Sequence, residues 1–215
     1  MDSPAERLRH ALTAPSASDR LQAAMDSGTH PHPSFVPVLI EKCALETDFN
    51  VREMLTWSLV RQETSITVPL VIAQTESEIT QARSQALHTL SKIGDPRGWA
   101  AITPALMLDA DDIVARTAWR AAVVLVPEEH EAELATTLAS LLGRGEREAK
   151  QSLSYALAQL GDAAWQALTT ASTHANPEVR IHAAATSRII NDPDEGFDAA
   201  WWEATKAVGD APTLP

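Results

Sequence analysis

A basic residue returns along this chain at a nearly fixed interval: Arg20, Arg52, Arg83, Arg116, Lys150 and Arg180 are separated by 32, 31, 33, 34 and 30 residues. Each opens a run with small or apolar residues at the same offsets. A recurrence this regular marks an internal repeat, and it confines the chain to folds in which one small unit stacks on copies of itself. Aligned on the basic residue, the third place holds Leu55, Ala86, Trp119, Leu153 and Ala183. The seventh holds Leu59, Leu90, Val123, Leu157 and Ser187, and the tenth Gln62, Ile93, Val126, Leu160 and Ile190. Offsets of 3, 7 and 10 trace one face of an α-helix, so these columns predict a buried seam.

Each such helix is preceded by a second apolar run and a short polar loop. Three of these first helices share a proline, at Pro37, Pro69 and Pro104, which the pattern places near the helix start, where a missing N–H costs little. The two later ones, around Leu134 to Leu142 and Trp165 to Ala171, lack it. Stops are supplied by Gly94-Asp95-Pro96, Gly161-Asp162 and Asn191-Asp192-Pro193. At the N-terminus Ser3 caps a helix opening on Pro4, and a second helix runs from about Ser18 to Asp26, ended by Ser27-Gly28. The expectation is an all-α, right-handed α-solenoid of about five short helical hairpins in one domain over residues 1–215. Its parts are a capping hairpin at 3–28, repeats at 33–192, a capping helix at 194–208 carrying Trp201 and Trp202, and a tail at 209–215.

Charge narrows the partners. With 17 Lys and Arg against 29 Asp and Glu, the net charge is −12, which repels polyphosphate and disfavours nucleic acid. One cysteine, Cys43, allows no intrachain disulfide and reads as a buried, inert thiol. No apolar run approaches the ~20 residues of a membrane span and the N-terminus lacks a basic-then-apolar signal, so a soluble cytoplasmic protein is expected.

The pattern of basic residue, small residue three on, apolar seven on and Leu-Gly-Asp or Ile-Gly-Asp at ten to twelve resembles the HEAT-repeat family. Its short bacterial form, named from phycobilisome lyases, is nearest. Ala149-Lys150 to Asp162 and Ala82-Arg83 to Asp95 carry the match best, and the resemblance spans roughly Pro33 to Asp192. It implies a structural ladder in which an acid or amide four places before the basic residue caps the second helix and pairs with a neighbouring repeat. Here that means Asp48, Asp112, Glu146 and Asn176, with Arg52, Arg83, Arg116, Lys150 and Arg180. It also implies that second helices line a concave side, so that the first, fourth, fifth and eighth places face the groove. Trp57, His88, Arg120 and Tyr155, with Arg188, then form a semi-aromatic, mildly basic stripe of the composition enriched at interface hot spots. Trp119, in the third-place column, reads as core.

The reading is a non-catalytic scaffold or adaptor, a monomer or weak homodimer, that binds a protein or peptide through its concave face. No catalytic residue, cofactor or metal ligand is assigned. HEAT-type hydroxylases hold iron on repeated His-Glu pairs, and His130-Glu131 stands alone in an acidic run. Two alternatives follow from resemblance. One is a HEAT-like DNA glycosylase using Trp57, Trp119 and Arg120 around an alkylated base; the other is a lyase or chaperone subunit for a tetrapyrrole-bearing protein.

Overall fold

The computed structural model describes residues 2–209, and the expected tail beyond Gly209 lies outside the described residues. Among these, all regular structure is helical. The chain divides into two compact units, Met1–Ala121 and Ala122–Pro215.

Unit 1 contains α1 (Pro4–Ala11), α2 (Ala17–Thr29), α3 (Val36–Leu45), α4 (Phe49–Val60), α5 (Thr64–Gln74), α6 (Thr80–Ile93), α7 (Pro104–Met107) and α8 (Asp112–Leu125) as far as Ala121. First helices pack on first helices, α1 on α3 and α3 on α5; second helices pack on second helices, α2 on α4 and α4 on α6. This is the build of an α-solenoid. Its entry is fixed by a capping box, in which Ser3 Oγ accepts from Glu6 N–H and the Glu6 carboxylate accepts from Ser3 N–H. The core joins Leu8, Leu12, Ala24, Val36, Leu39, Cys43, Leu55 and Leu59.

Three local expectations are corrected in this unit. α2 does not stop at Ser27-Gly28 but runs to Thr29, and Gly28 serves packing instead. A Cβ there would lie 2.3 Å from the Trp57 ring, so α2 meets α4 where only glycine fits. Pro69 is not at a helix start but inside α5. Both Pro69 and Ser65, whose carbonyl loses its donor, face outward, so water can take the lost bond. The third repeat's first helix is broken into a 3₁₀ segment, Pro96–Ala101, and the single turn of α7.

Unit 2 contains α9 (Glu131–Ala139), α10 (Arg147–Gln159), α11 (Trp165–Ala171), α12 (Pro177–Asn191) and α13 (Phe197–Gly209). The same pattern holds: α9 packs on α11, α10 on α12, and α13 covers the far side of α12. Phe197, Ala200 and Ala204 close that end with Ala185 and Ile189, and Trp201 leans on the same cluster. Trp202, one residue on, is 62% exposed beneath Lys206.

The third-place column is buried throughout, with Leu55, Ala86, Trp119, Leu153 and Ala183 at most 4% exposed. The tenth-place column is buried only at Gln62 and Leu160, because the helices end there. The fourth place departs from expectation: Thr56, Leu87 and Ser154 are buried, while Arg120 is exposed. A second helix has a second helix on each side, so its buried arc is wider than one seam.

Candidate protein-binding face

The basic column closes loops before it joins repeats. Arg20 Nη1 donates to the carbonyls of Ala14 and Pro15, and Arg52 Nη1 to those of Glu46 and Thr47. Arg83 Nη1 donates to Ser77 and Glu78, and Arg180 Nη1 to His174 and Ala175. Each guanidinium thus ties the turn just before its own helix, at the residues five and six places back. Its other edge can then take a carboxylate from the next repeat: Arg20 holds Glu46 at 2.7 Å and Arg83 holds Asp109 at 3.1 Å. The Arg20 guanidinium, with the Asp48 N–H, keeps the half-buried Glu46 carboxyl below the usual carboxylate range. Lys150 lacks the fork needed for the carbonyl clamp; its Nζ lies 2.8 Å from Glu178 and 5.0 Å from the Trp201 ring centroid.

The ladder's acids divide the work differently from the expectation. Asp48 caps α4 through Asn50 and Val51 N–H, and Asn176 caps α12 through Glu178 N–H. The capping carboxylate at α8 is that of Asp111, not Asp112, accepting from Ile113 and Val114. Glu146 stands at the start of α10 without a side-chain capping bond. The acids that reach the neighbouring arginine in unit 1, Glu46 and Asp109, stand two places before the capping residue. One carboxylate has too few aligned acceptor directions to cap its helix and reach back to the preceding repeat, so two acids share the task.

On the second-helix face of unit 1, Trp57 is 41% exposed, one ring edge on the Gly28 notch and the Arg61 guanidinium 6.0 Å from its centroid. Half-buried His88 has Nε2 3.2 Å from Glu53 Oε1, yet the pair is not aligned as a hydrogen bond and Nε2 is buried without a partner. Burial, with Lys92 and Arg120 nearby, lowers the His88 pKa; Glu53 opposes them. Arg120 is exposed, its Nε donating to Arg116 O at 3.1 Å. Trp119 is fully buried and its indole N–H donates to Met107 O at 2.9 Å, so it cannot stack on an extrahelical base. Cys43 is buried, which pushes its thiol up to about 12 and keeps it protonated and unreactive.

In unit 2, Tyr155 is 38% exposed and Arg188 is tied to Glu195 at 2.7 Å. The residue that sequence reasoning passed over is His182. It is fully buried: Gly143 N–H donates to Nδ1 at 3.0 Å, and Nε2 lies 3.0 Å from Lys150 O and 3.1 Å from Ser154 Oγ. Because Nδ1 accepts, the proton sits on Nε2. Burial holds the pKa down to about 4, so the ring is neutral. Gly143 at φ +85 aims that N–H; a β-carbon there would be strained and would press on Val179. Histidine in the second place after the basic residue occurs only in this repeat, so no column announced it.

Among the described residues no three His, Cys, Asp or Glu converge as a metal site, and no helix is long and apolar enough to cross a membrane. No family model matches the chain, and no curated protein matches it. Solved structures similar to it include an engineered protein, 19% identical over 96% of this chain and 98% of that one, with TM-score 0.47. Another is a designed armadillo repeat protein, 14% identical over 86% of this chain and 99% of that one, TM-score 0.46. A third is the complex of CpcE and CpcF of phycocyanin lyase from Nostoc, 14% identical over 97% of this chain and 96% of that one, TM-score 0.39.

Proposed function

We propose that this chain is a non-catalytic scaffold that takes a protein or peptide on the second-helix face of unit 1, with Trp57, His88 and Arg120 as contact residues. The observation that carries this reading is Trp57, a large aromatic 41% exposed and flanked by a guanidinium, on a face otherwise made of small and polar side chains. Tryptophan and arginine are the side chains that most often dominate binding energy at protein interfaces. Tyr155 offers a contact of the same kind on unit 2. The DNA-glycosylase alternative loses one of its candidate base-stacking residues, because Trp119 lies in the core.

The test is capture with the immobilised intact chain, comparing wild type with Trp57→Ala and Arg120→Glu. Both variants should lose the same partner by at least tenfold while keeping the helical circular dichroism of the wild type. A partner retained equally by all three would refute the assignment of this face.

A further inference from the structure

Charge in unit 1 is sorted rather than mixed. Arg9, Arg20, Arg83 and Arg97 each reach a carboxylate. Arg116 and Arg120 reach none: Arg116 Nε is buried without a partner, and the bonds of Arg120 go to the Arg116 carbonyl and, at 3.4 Å, the Thr117 hydroxyl. Lys92 likewise ends in no ion pair, one turn beyond His88 on α6. α6 and α8 meet through Ser84 and Thr117, whose hydroxyls lie 3.5 Å apart, so two cationic i,i+4 pairs sit on adjoining helices. Glu53 is the one carboxylate at this cluster, directed at His88. Like charges at i,i+4 repel, and a chain with 29 acidic side chains has ample means to neutralise them.

We infer that this face of unit 1 takes an acidic peptide segment, its carboxylates on Arg116, Arg120 and Lys92 and an apolar side chain against Trp57. The inference rests on the binding-face reading and names its partner class. Guanidinium forks with free N–H groups match carboxylates bidentately. Attraction at the cluster and repulsion from the rest of an acidic surface would steer such a segment to this face. Nucleic acid fits less well, since it needs a long run of phosphate contacts and meets a net charge of −12.

The experiment is panning of a random peptide display library on the immobilised intact chain, followed by anisotropy titration of the enriched peptides. The expected peptides are rich in Asp and Glu around one large apolar residue. They should weaken about tenfold for Arg120→Gln, weaken further for the Arg116→Gln, Arg120→Gln double variant, and bind less tightly as salt rises. Arg120 is exposed, so its variant keeps the test sound even if replacing half-buried Arg116 disturbs folding. Enriched peptides that are neutral or basic, yet lost on Trp57→Ala, overturn the acidic partner and leave the face intact. Displacement by a single-stranded oligonucleotide more effective than the free acidic peptide assigns the cluster to phosphate and overturns the inference. If no peptide is enriched, or none depends on Trp57, both readings fall.

Discussion

Gln62 in unit 1 and His182 in unit 2 meet the same structural need with groups of different chemistry. Each is buried, and each makes three hydrogen bonds that tie one repeat to the next. Gln62 Nε2 donates to the carbonyls of Ser27 and Ser58, and its Oε1 accepts from His32 N–H. His182 accepts from Gly143 N–H and shares its Nε2 proton between Lys150 O and Ser154 Oγ. From there the chain of hydroxyls runs on: Thr186 donates to the His182 carbonyl, so Ser154 donates to Thr186, 2.8 Å away. An amide does not titrate and an imidazole does. The difference teaches that two stacked-hairpin units with the same helix order can be given different responses to acid by one interior side chain.

Three experiments break or sharpen that contrast. The largest effect is expected from His182→Ala. It opens a cavity and leaves Gly143 N–H and Lys150 O without partners, costing roughly 3–5 kcal/mol in unit 2 at pH 7.5. Amide-exchange protection over α10 and α12 should fall accordingly. Protection near that of wild type would mean the ring bridges nothing of consequence.

The next effect is the pH dependence itself. Below its ordinary pKa near 6.5 the unfolded ring takes a proton that the folded ring, at about 4, refuses. The unfolded state then binds more protons, so unit 2 loses stability as pH falls from about 6.5 toward 4, by roughly 3 kcal/mol in total. The groups facing the ring include Lys150, which favours the neutral form, and Glu178, which opposes it. In unit 1, His88 is depressed too and contributes loss in the same direction, with Glu53 opposing. Glu46, lowered by Arg20, contributes only as pH falls below the ordinary carboxylate range. Protection factors at pH 7.5 and pH 5 should therefore drop more in α12 than in α4, and His182→Gln should remove most of the excess.

The smallest effect belongs to Gln62→Met, which keeps the volume and strands Ser27 O and His32 N–H. It should cost roughly 1–3 kcal/mol, equal at pH 7.5 and pH 5. A loss that grows with acid would place a titrating group at the unit 1 joint and erase the contrast.

How far the sequence could be read follows from what repeats and what does not. The third-place column was legible because every copy is apolar and every copy is buried. The breadth of the buried arc was not: Thr56 and Ser154 are polar, and only the neighbouring second helix, supplying Thr186 to Ser154, makes burial tolerable. Asp111 and Asp112 are adjacent and chemically alike, so spacing alone could not choose the capping residue. Gly28 looked like a stop because glycine often is one, and the Trp57 ring that requires it lies on another helix. For the binding face, Trp57 and Arg120 followed from their places in the repeat. The unpaired state of Arg116 depends on where every carboxylate lands, which no column records.

The arginine clamp has a consequence for the order in which this chain acquires its structure. Arg20, Arg52, Arg83 and Arg180 bind carbonyls only five and six residues behind them, so those bonds are available as soon as one hairpin has been made. The carboxylates of Glu46 and Asp109 stand 26 residues ahead of their arginines. At the usual pace of translation that is a wait of ~1–5 s. During synthesis each emerging hairpin can therefore set its own turn while half of its guanidinium stays open, an unfinished joint that accepts the next hairpin when it arrives.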